Sequence, residues 1–393
     1  MREEDTYAPG RAGALRQGYT TGTCAAGAAQ AAARFLLAGV KSGEAAVTVP
    51  RGDKLSLPVE AWEFGPGWAS CGIRKDAGDD PDVTDGILIC ARVSKTGTGG
   101  DYEQIEEGIS LYLSGGVGIG RITKPGLSCK VGEPAINPIP REMIFAQVAR
   151  VCREAGFLGR LWIEIFSPQG AAAAGRTFNP RLGIEGGISI LGTSGIVEPM
   201  SRRALLDTIR LELRQKSMAS NGRVAAALGN YGERFLEELG VCREQVVICS
   251  NYIGDTLDMA REEGVKEILF VGHAGKLIKT AAGIMDTHSR TADGRMEILG
   301  AWGAACGADP DLTEQILQAV TVDQGLAILE TQPGLKERTM ERIMGRMAFY
   351  LSQRAGDGLG AEAIVFTNER GILGMTPGAG GMLARLKQGC ADA

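Results

Sequence analysis

The sequence predicts an α+β N-terminal domain over residues 1–200, joined to an α/β Rossmann-like C-terminal domain over residues 201–393 that has a mainly parallel sheet. The 393 residues exceed one ordinary domain and suffice for two cores. Up to about residue 195, short alternating apolar runs are separated by long glycine- and proline-rich loops. From residue 201, apolar strands alternate with helices, a rhythm that implies parallel βαβ packing.

The N-terminal domain is predicted to begin with a helix. Thr20, Thr21 and Thr23 precede an alanine-rich segment that stops at Gly39, and threonine and glycine are common helix-capping residues. Alternating runs predict strands near residues 46–49, 55–61 and 86–93, and again at 161–166. A second helix is predicted near residues 141–155.

The C-terminal domain is predicted to contain a helix followed by three strand-then-helix units. The helix covers residues 202–216, and a later one follows residue 335. The predicted strands are residues 223–228, 245–249 and 267–271, with helices starting near Tyr231, Gly254 and Gly275, and one more strand at residues 363–366.

Composition and charge exclude several classes of protein. The net charge is −5 with no basic tract, which argues against a nucleic-acid partner. Nine cysteines without a CxxC pair and only two histidines argue against a disulfide framework and a protein-built zinc site, so no metal site is predicted and a reducing cytoplasm fits. Residues 1–18 have no apolar core, and no run of about 20 apolar residues occurs, so neither a signal peptide nor a membrane segment is expected.

Glycine-bearing turns follow the three predicted parallel strands. Ligands of such sheets bind outside the carboxyl ends of the strands. The turns contain Gly229, Asn230, Tyr231 and Gly232, then Asn251, then Gly272 and His273. They suit close contact with a cofactor, although glycine and asparagine also simply make turns. The absence of GxGxxG disfavours NAD.

Two further segments carry polar chemistry. Residues 76–85 hold five aspartates, whose spacing is not that of an EF-hand, so a solvated loop and a carboxylate site both stay open. His288 and His273 are the two histidines of the chain, and for each of them a structural role and a functional role both stay open.

Several of these segments together resemble the family of cobalt-precorrin-5B C-1 methyltransferases, CbiD. The similar stretches are GYTTGTCAAGAAQAA (18–32), KDAGDDPDVTDG (75–86), TKPGLSCKVGEPAINPIPREM (123–143), TFNPRLGIEGGISILGTSGIVEPMS (177–201), GNYG (229–232) and GHAGKLIKTAAG (272–283) followed by THS (287–289). The resemblance covers residues 18 to about 300 and is weaker beyond.

The resemblance implies methyl transfer from S-adenosylmethionine to C-1 of cobalt-precorrin-5B, giving cobalt-precorrin-6A in anaerobic cobalamin biosynthesis. Cobalt would enter only as part of the corrinoid substrate, and a homo-oligomer is compatible with the sequence. The alternatives are a non-catalytic corrinoid-binding protein and a nucleotide-dependent oxidoreductase of the same pathway. Calorimetry with S-adenosylhomocysteine, NADPH and a corrinoid separates the three.

On this reading each domain has its own ligand. The residues of the three strand-end turns would bind the methyl donor, and cations and helix N-termini in the N-terminal domain would bind the carboxylates of the tetrapyrrole. Asp79, Asp80 and His288 are the candidate bases. The predicted substrate-binding residues are Thr20, Thr21, Thr23, Lys75, Lys124, Lys130, Arg141 and Arg181.

Overall fold

A computed structural model describes residues 15–391. The chain divides into two compact units, residues 1–202 and 203–393. It is a mixed α/β protein, with a mixed sheet in the first unit and a mostly parallel sheet in the second. Most of the N-terminal segment on which the signal-peptide prediction rests, residues 1–14, lies outside the described residues.

The first unit is built on a six-stranded mixed sheet of order β4-β5-β6-β10-β8-β7, in which β8 and β10 are parallel and the other pairs antiparallel. Three two-stranded pairs, β1-β12, β2-β3 and β9-β11, accompany it. The elements are β1 (Gly18–Tyr19), α1 (Thr21–Ala38), β2 (Glu44–Thr48), β3 (Lys54–Pro58), β4 (Glu60–Gly65), β5 (Trp68–Arg74), β6 (Leu88–Ser94), β7 (Tyr102–Glu106), β8 (Ile109–Gly115), β9 (Arg121–Ile122), α2 (Pro138–Glu154), β10 (Gly159–Phe166), α3 (Gly170–Ala174), β11 (Ile184–Glu185) and β12 (Ile196–Val197).

The predicted first helix is confirmed. Thr20 is its N-cap and accepts a hydrogen bond from the Thr23 amide, while Gly39 ends it in the left-handed conformation at φ 68°. Residues 21–33 are all buried, and Gly27 lets the helix approach the sheet, because a Cβ there would lie 2.7 Å from Ile73 Cδ1. The predicted helix and strand near residues 141–166 are confirmed as α2 and β10.

The second unit has a five-stranded sheet of order β14-β13-β15-β16-β17, parallel except for β17. Short 3-10 helices cover Arg243–Gln245 and Ile278–Ala282. The elements are α4 (Arg202–Ala219), β13 (Arg223–Ala227), α5 (Asn230–Glu238), β14 (Val246–Ile248), α6 (Ile253–Glu262), β15 (Glu267–His273), α7 (Ala274–Leu277), α8 (Arg295–Ala305), α9 (Pro310–Leu317), α10 (Val322–Glu330), α11 (Leu335–Ala355), β16 (Gly360–Thr367), β17 (Gly371–Met375) and α12 (Ala379–Ala391).

Two expectations for this unit need correction. The third strand is followed by a helix of only four residues, α7, and then by a 3-10 turn that ends at Gly283, whose φ is 78°. A disulfide joins Cys242 to Cys390 across 148 residues, whereas the scattered cysteines predicted none. Only the fold brings these two positions together. Within residues 15–391 no helix is long and apolar enough to cross a membrane.

Candidate functional site

We use the term crevice for the carboxyl edge of the parallel sheet between β13 and β15 in the second unit. The chain leaves β13 towards β14 on one side and leaves β15 towards β16 on the other. Where connections diverge in this way, the edge of a parallel sheet is open, and this is where such folds bind ligands. Of the predicted cofactor residues, Gly229 follows β13, and Gly272 and His273 end β15.

Gly229 and Gly232 serve this edge differently. Gly229 is the N-cap of α5 with φ 89°, a conformation that other residues rarely adopt, and no side chain caps the helix there. The start of α5 therefore presents uncapped amides. Gly232 is a packing residue, because a Cβ there would lie 2.6 Å from the carbonyl oxygen of Val271. Asn230 and Tyr231 are exposed beside them.

Lys276 places a positive charge at the same crevice. Its Nζ atom lies 3.9 Å from the position that a Cβ would take on Gly229. Lys276 was absent from the residues predicted from sequence. The sequence signal that could have identified Lys276 is its position three residues after the end of a strand. That position indicates a ligand contact only once β13 and β15 are known to be neighbours.

His273 is held in one orientation. Its Nδ1 accepts a hydrogen bond from the Gly275 amide, and its ring packs edge-on against Phe366 at 5.8 Å between centroids. With Nδ1 accepting, a neutral ring carries its proton on Nε2, which can then donate to a ligand. Nearby, burial raises the pKa of the Cys249 thiol to about 12, even though the charge of Lys276 opposes this, so Cys249 is not a ready nucleophile.

Asn251 contacts the loop that follows the 3-10 turn and carries His288. The Thr287 amide donates to the Asn251 carbonyl at 2.9 Å, and the His288 amide donates to Asp286 Oδ1 at 3.1 Å. The buried Lys279 ammonium donates to the carbonyls of Thr287 and Ala292, and burial lowers its pKa. Lys279 therefore fixes the loop that carries His288.

In the first unit, two segments, residues 119–137 and 177–192, pair through β9 and β11 and through bridges between Ile119 and Ile188 and between Ile136 and Ile190. We call these segments the paired loops. Lys124 and Lys130 are exposed on the first, and the stem of Lys124 packs against Gly183 of the second. Arg181, half-buried, follows a turn of the second loop.

Arg141 joins this surface from the first turn of α2. Its guanidinium stacks over the Tyr102 ring at 4.1 Å, and its Nε is buried without a hydrogen-bond partner. Tyr102 donates to Glu133 at 3.2 Å, and Glu133 in turn accepts from the Lys130 amide. Four predicted cations, Lys124, Lys130, Arg141 and Arg181, thus lie on or against the paired loops.

The three threonines are used inside the unit. Thr21 Oγ1 accepts from the Leu191 amide at 2.9 Å, and Thr23 Oγ1 donates to the Gly195 carbonyl at 2.7 Å. The first-turn amide of Gly22 donates to the Leu191 carbonyl. Thr20, Thr21 and Thr23, which the sequence predicts to bind substrate, are thus buried, and the hydrogen bonds of Thr21 and Thr23 tether α1 to residues 191–195.

Lys75 is also turned inward. Its side chain is 2% exposed, and its Nζ lies 2.6 Å from Asp82 Oδ2. Burial would raise the pKa of Asp82, but the charge and hydrogen bond of Lys75 and the hydrogen bonds from Thr84 outweigh it and lower that pKa. Lys75, which the sequence predicts to bind carboxylates of the substrate, is thus buried and paired with Asp82 in this structure.

The carboxylates of the aspartate-rich loop accept hydrogen bonds from within the first unit. Asp79 accepts from the Arg16 amide and Asp80 from the Met200 amide, while Asp85 accepts from the Ala77 amide. Asp79 is exposed and Asp80 half-buried, so each remains accessible to solvent. Among residues 15–391 no group of three or more His, Cys, Asp or Glu side chains could hold a metal ion. The third candidate base, His288, belongs to the other unit.

These features define a two-unit α/β protein with a cationic loop surface in one unit and an open strand edge in the other. Sequence profiles named CbiD and CbiD, C-terminal domain, match residues 9–199 and 286–377. The chain belongs to the CbiD family.

Similar proteins span most of the chain. It is 46% identical over 355 residues to the cobalt-precorrin-5B C(1)-methyltransferase of Ruminiclostridium cellulolyticum, covering 90% of this chain and 89% of that one. Identity to the enzyme of the same name from Moorella thermoacetica is 44% over 357 residues, covering 90% and 92%. A crystal structure of the cobalamin biosynthesis protein cbiD from Archaeoglobus fulgidus is 30% identical, covers 70% of this chain and 83% of that one, and superposes with a TM-score of 0.37.

Proposed function

We propose that this chain methylates C-1 of cobalt-precorrin-5B, with S-adenosylmethionine as the methyl donor, to give cobalt-precorrin-6A in cobalamin biosynthesis. The observation that carries the proposal is the identity of 46% to a cobalt-precorrin-5B C(1)-methyltransferase over 90% of the chain. Cobalt belongs to the substrate and is not a resident cofactor of the protein.

The methyl donor is assigned to the crevice of the second unit. The strand order β14-β13-β15-β16 is that of a Rossmann-like doubly wound sheet, in which the ligand lies between the first and third strands. The uncapped amides of α5 and the ammonium of Lys276 would hold the carboxylate of the methionine moiety. Gly272 is a packing residue at this edge, because a Cβ there would lie 3.2 Å from Leu228 Cβ. Tyr231, His273 and Asn251 would supply a ring and polar groups for the nucleoside.

The corrinoid is assigned to the paired loops of the first unit. A tetrapyrrole edged with acetate and propionate groups needs several cations spread over a wide surface, and arginine binds carboxylates with two parallel hydrogen bonds. Lys124, Lys130, Arg141 and Arg181 supply this charge. Arg141 is the strongest candidate, since its stacking on Tyr102 orients the guanidinium before any ligand binds.

The methyl transfer needs little from the protein beyond alignment of the two reactants. The sulfonium of S-adenosylmethionine is an activated donor: the ring carbon attacks the methyl carbon, the bond to sulfur breaks with its electron pair on sulfur, and S-adenosylhomocysteine leaves. Holding the two reactants in line contributes up to about 7–11 kcal/mol in well-oriented systems. Asp79, Asp80 and His288 are the side chains proposed to take a proton if the methylated ring releases one.

A single-turnover experiment tests the function. Purified protein mixed with cobalt-precorrin-5B and S-adenosylmethionine carrying a ¹³C-methyl group should transfer the label to the corrinoid in one equivalent. S-adenosylhomocysteine should accumulate at the same rate. Binding of the corrinoid with no transfer of label would favour a non-catalytic carrier, and tight binding of NADPH in place of S-adenosylhomocysteine would favour an oxidoreductase.

A further inference from the structure

The sheet of the first unit has a second face that the helices α1 and α2 do not cover. Ala69, Val93 and Ile163 point into the core, so their neighbours Trp68, Arg92 and Trp162 point to the opposite face. These three side chains line a cavity of about 370 Å³, closed on one side by the loop of residues 96–99. This volume is that of a small-molecule site.

Arg92 is placed in the cavity with a buried hydrogen-bond donor that has no partner. Its guanidinium lies over the Trp68 ring, 4.7 Å from the centroid, and its Nε is buried with no partner. The backbone of Arg92 pairs with Glu164 in the sheet, but none of the side-chain hydrogen bonds or ion pairs found within residues 15–391 involves its guanidinium. A buried donor that lacks a partner lowers the stability of the folded protein. A guanidinium that is held against an aromatic ring with such a donor therefore indicates an anionic ligand.

Glu164 is the residue expected to neutralise Arg92, because the two are direct cross-strand partners on β10 and β6. It does not do so. Its carboxylate lies against Gly116, where a Cβ would be 2.5 Å from Glu164 Oε1. The glycine at position 116 thus leaves space for the carboxylate away from Arg92, and both charges line the cavity separately.

The cavity wall is shaped around aromatic rings. Trp162 stacks on Tyr112 at 5.4 Å between centroids, and Gly97 lets the covering loop lie on Trp162, since a Cβ there would be 2.5 Å from Trp162 Cγ. The Trp162 Nε1 is buried without a partner. The site therefore combines an oxyanion-binding guanidinium with apolar walls.

We propose that this cavity binds a small aromatic molecule that carries a carboxylate or phosphate group, with the oxyanion on Arg92. None of the residues that line the cavity belongs to the paired loops, and the proposal does not depend on the methyl transfer proposed above. Benzoate and phenyl phosphate are the probes, and comparison of the two distinguishes a carboxylate ligand from a phosphate ligand.

The test is calorimetric titration of the full chain with each probe, alongside tryptophan fluorescence, to which Trp68 and Trp162 contribute together with Trp62 and Trp302. Arg92→Gln should weaken binding of the preferred probe by about tenfold or more, because a charge-assisted bond is lost. Glu164→Gln should strengthen it, since a like charge is removed from the same cavity. Arg160→Gln is the matched control: Arg160 is exposed on β10 outside the cavity lining, and its loss should leave affinity unchanged.

Three outcomes overturn the proposal: neither probe binds the wild-type protein at millimolar concentration, Arg92→Gln binds as wild type does, or Arg160→Gln weakens binding as much as Arg92→Gln. Arg92→Lys keeps the charge and guards against misfolding of the Gln variant. It should bind more tightly than Arg92→Gln but less tightly than wild type, since an ammonium cannot form the two-pronged contact.

Discussion

The ammonium of Lys75 lies 2.6 Å from the carboxylate of Asp82, and the Lys75 side chain is 2% exposed. This ion pair links the aspartate-rich loop to Lys75, the residue that follows β5. Asp82 is the carboxylate that contacts the buried Lys75 ammonium directly, and it therefore compensates that charge.

Asp82→Asn is expected to lower the free energy of unfolding by about 3–5 kcal/mol at neutral pH, because it leaves a buried charge uncompensated. The pKa of Asp82 in the folded protein lies below the ordinary 3.8, so its stabilisation is present above that value and lost as pH falls through the folded pKa. Chemical denaturation should therefore show a constant deficit from about pH 5 to 7 that shrinks below about pH 4.

The exposed Asp79 in the same loop provides the control for that experiment. Asp79→Asn should change the free energy of unfolding by about 1 kcal/mol or less, since its partner is one amide near the surface. An equal loss of stability in the two variants would show that the stabilisation comes from the loop as a whole and not from the buried ion pair.

Lys276→Gln is expected to weaken S-adenosylhomocysteine binding by about tenfold or more, because the ammonium beside Gly229 would lose its contact with the carboxylate of the ligand. Lys266→Gln is the matched control, since Lys266 is exposed and precedes the opposite end of β15. Calorimetry measures both. Unchanged affinity in the Lys276 variant would move the donor site away from the crevice between β13 and β15.

Treatment with EDTA is expected to leave the melting temperature and the methyl transfer unchanged. Asp76, Asp79, Asp80, Asp82 and Asp85 each accept a hydrogen bond from within the first unit, so the loop needs no cation to offset its charge. A fall in melting temperature that Mg²⁺ or Ca²⁺ reverses would contradict this prediction.

Much of the fold could be predicted because the signals are local. The caps of α1 and the three parallel strands of the second unit each depend on a short run of residues. The exact helix after β15 could not be predicted, because the 3-10 turn Ile278–Ala282 follows α7 directly and nothing in the sequence pattern separates the two helix types.

The site was harder to predict because side-chain direction depends on tertiary packing. Lys75 and Thr23 are polar residues in polar segments of the sequence, yet both are buried and paired. The position of Lys276 beside Gly229 depends on the pairing of β13 with β15. The guanidinium of Arg92 is left unpaired because the Glu164 carboxylate lies against Gly116. Polar residue type alone does not separate these cases.

The division of labour between the two units is tested most directly by calorimetric titration of Arg141→Gln with cobalt-precorrin-5B and with S-adenosylhomocysteine. Loss of a guanidinium that grips a carboxylate should weaken corrinoid binding by about tenfold or more and leave S-adenosylhomocysteine affinity unchanged. Arg153→Gln, exposed at the other end of α2, should change neither. Corrinoid affinity equal to that of wild type, or an equal loss of both ligands, would contradict the assignment of the corrinoid to the paired loops.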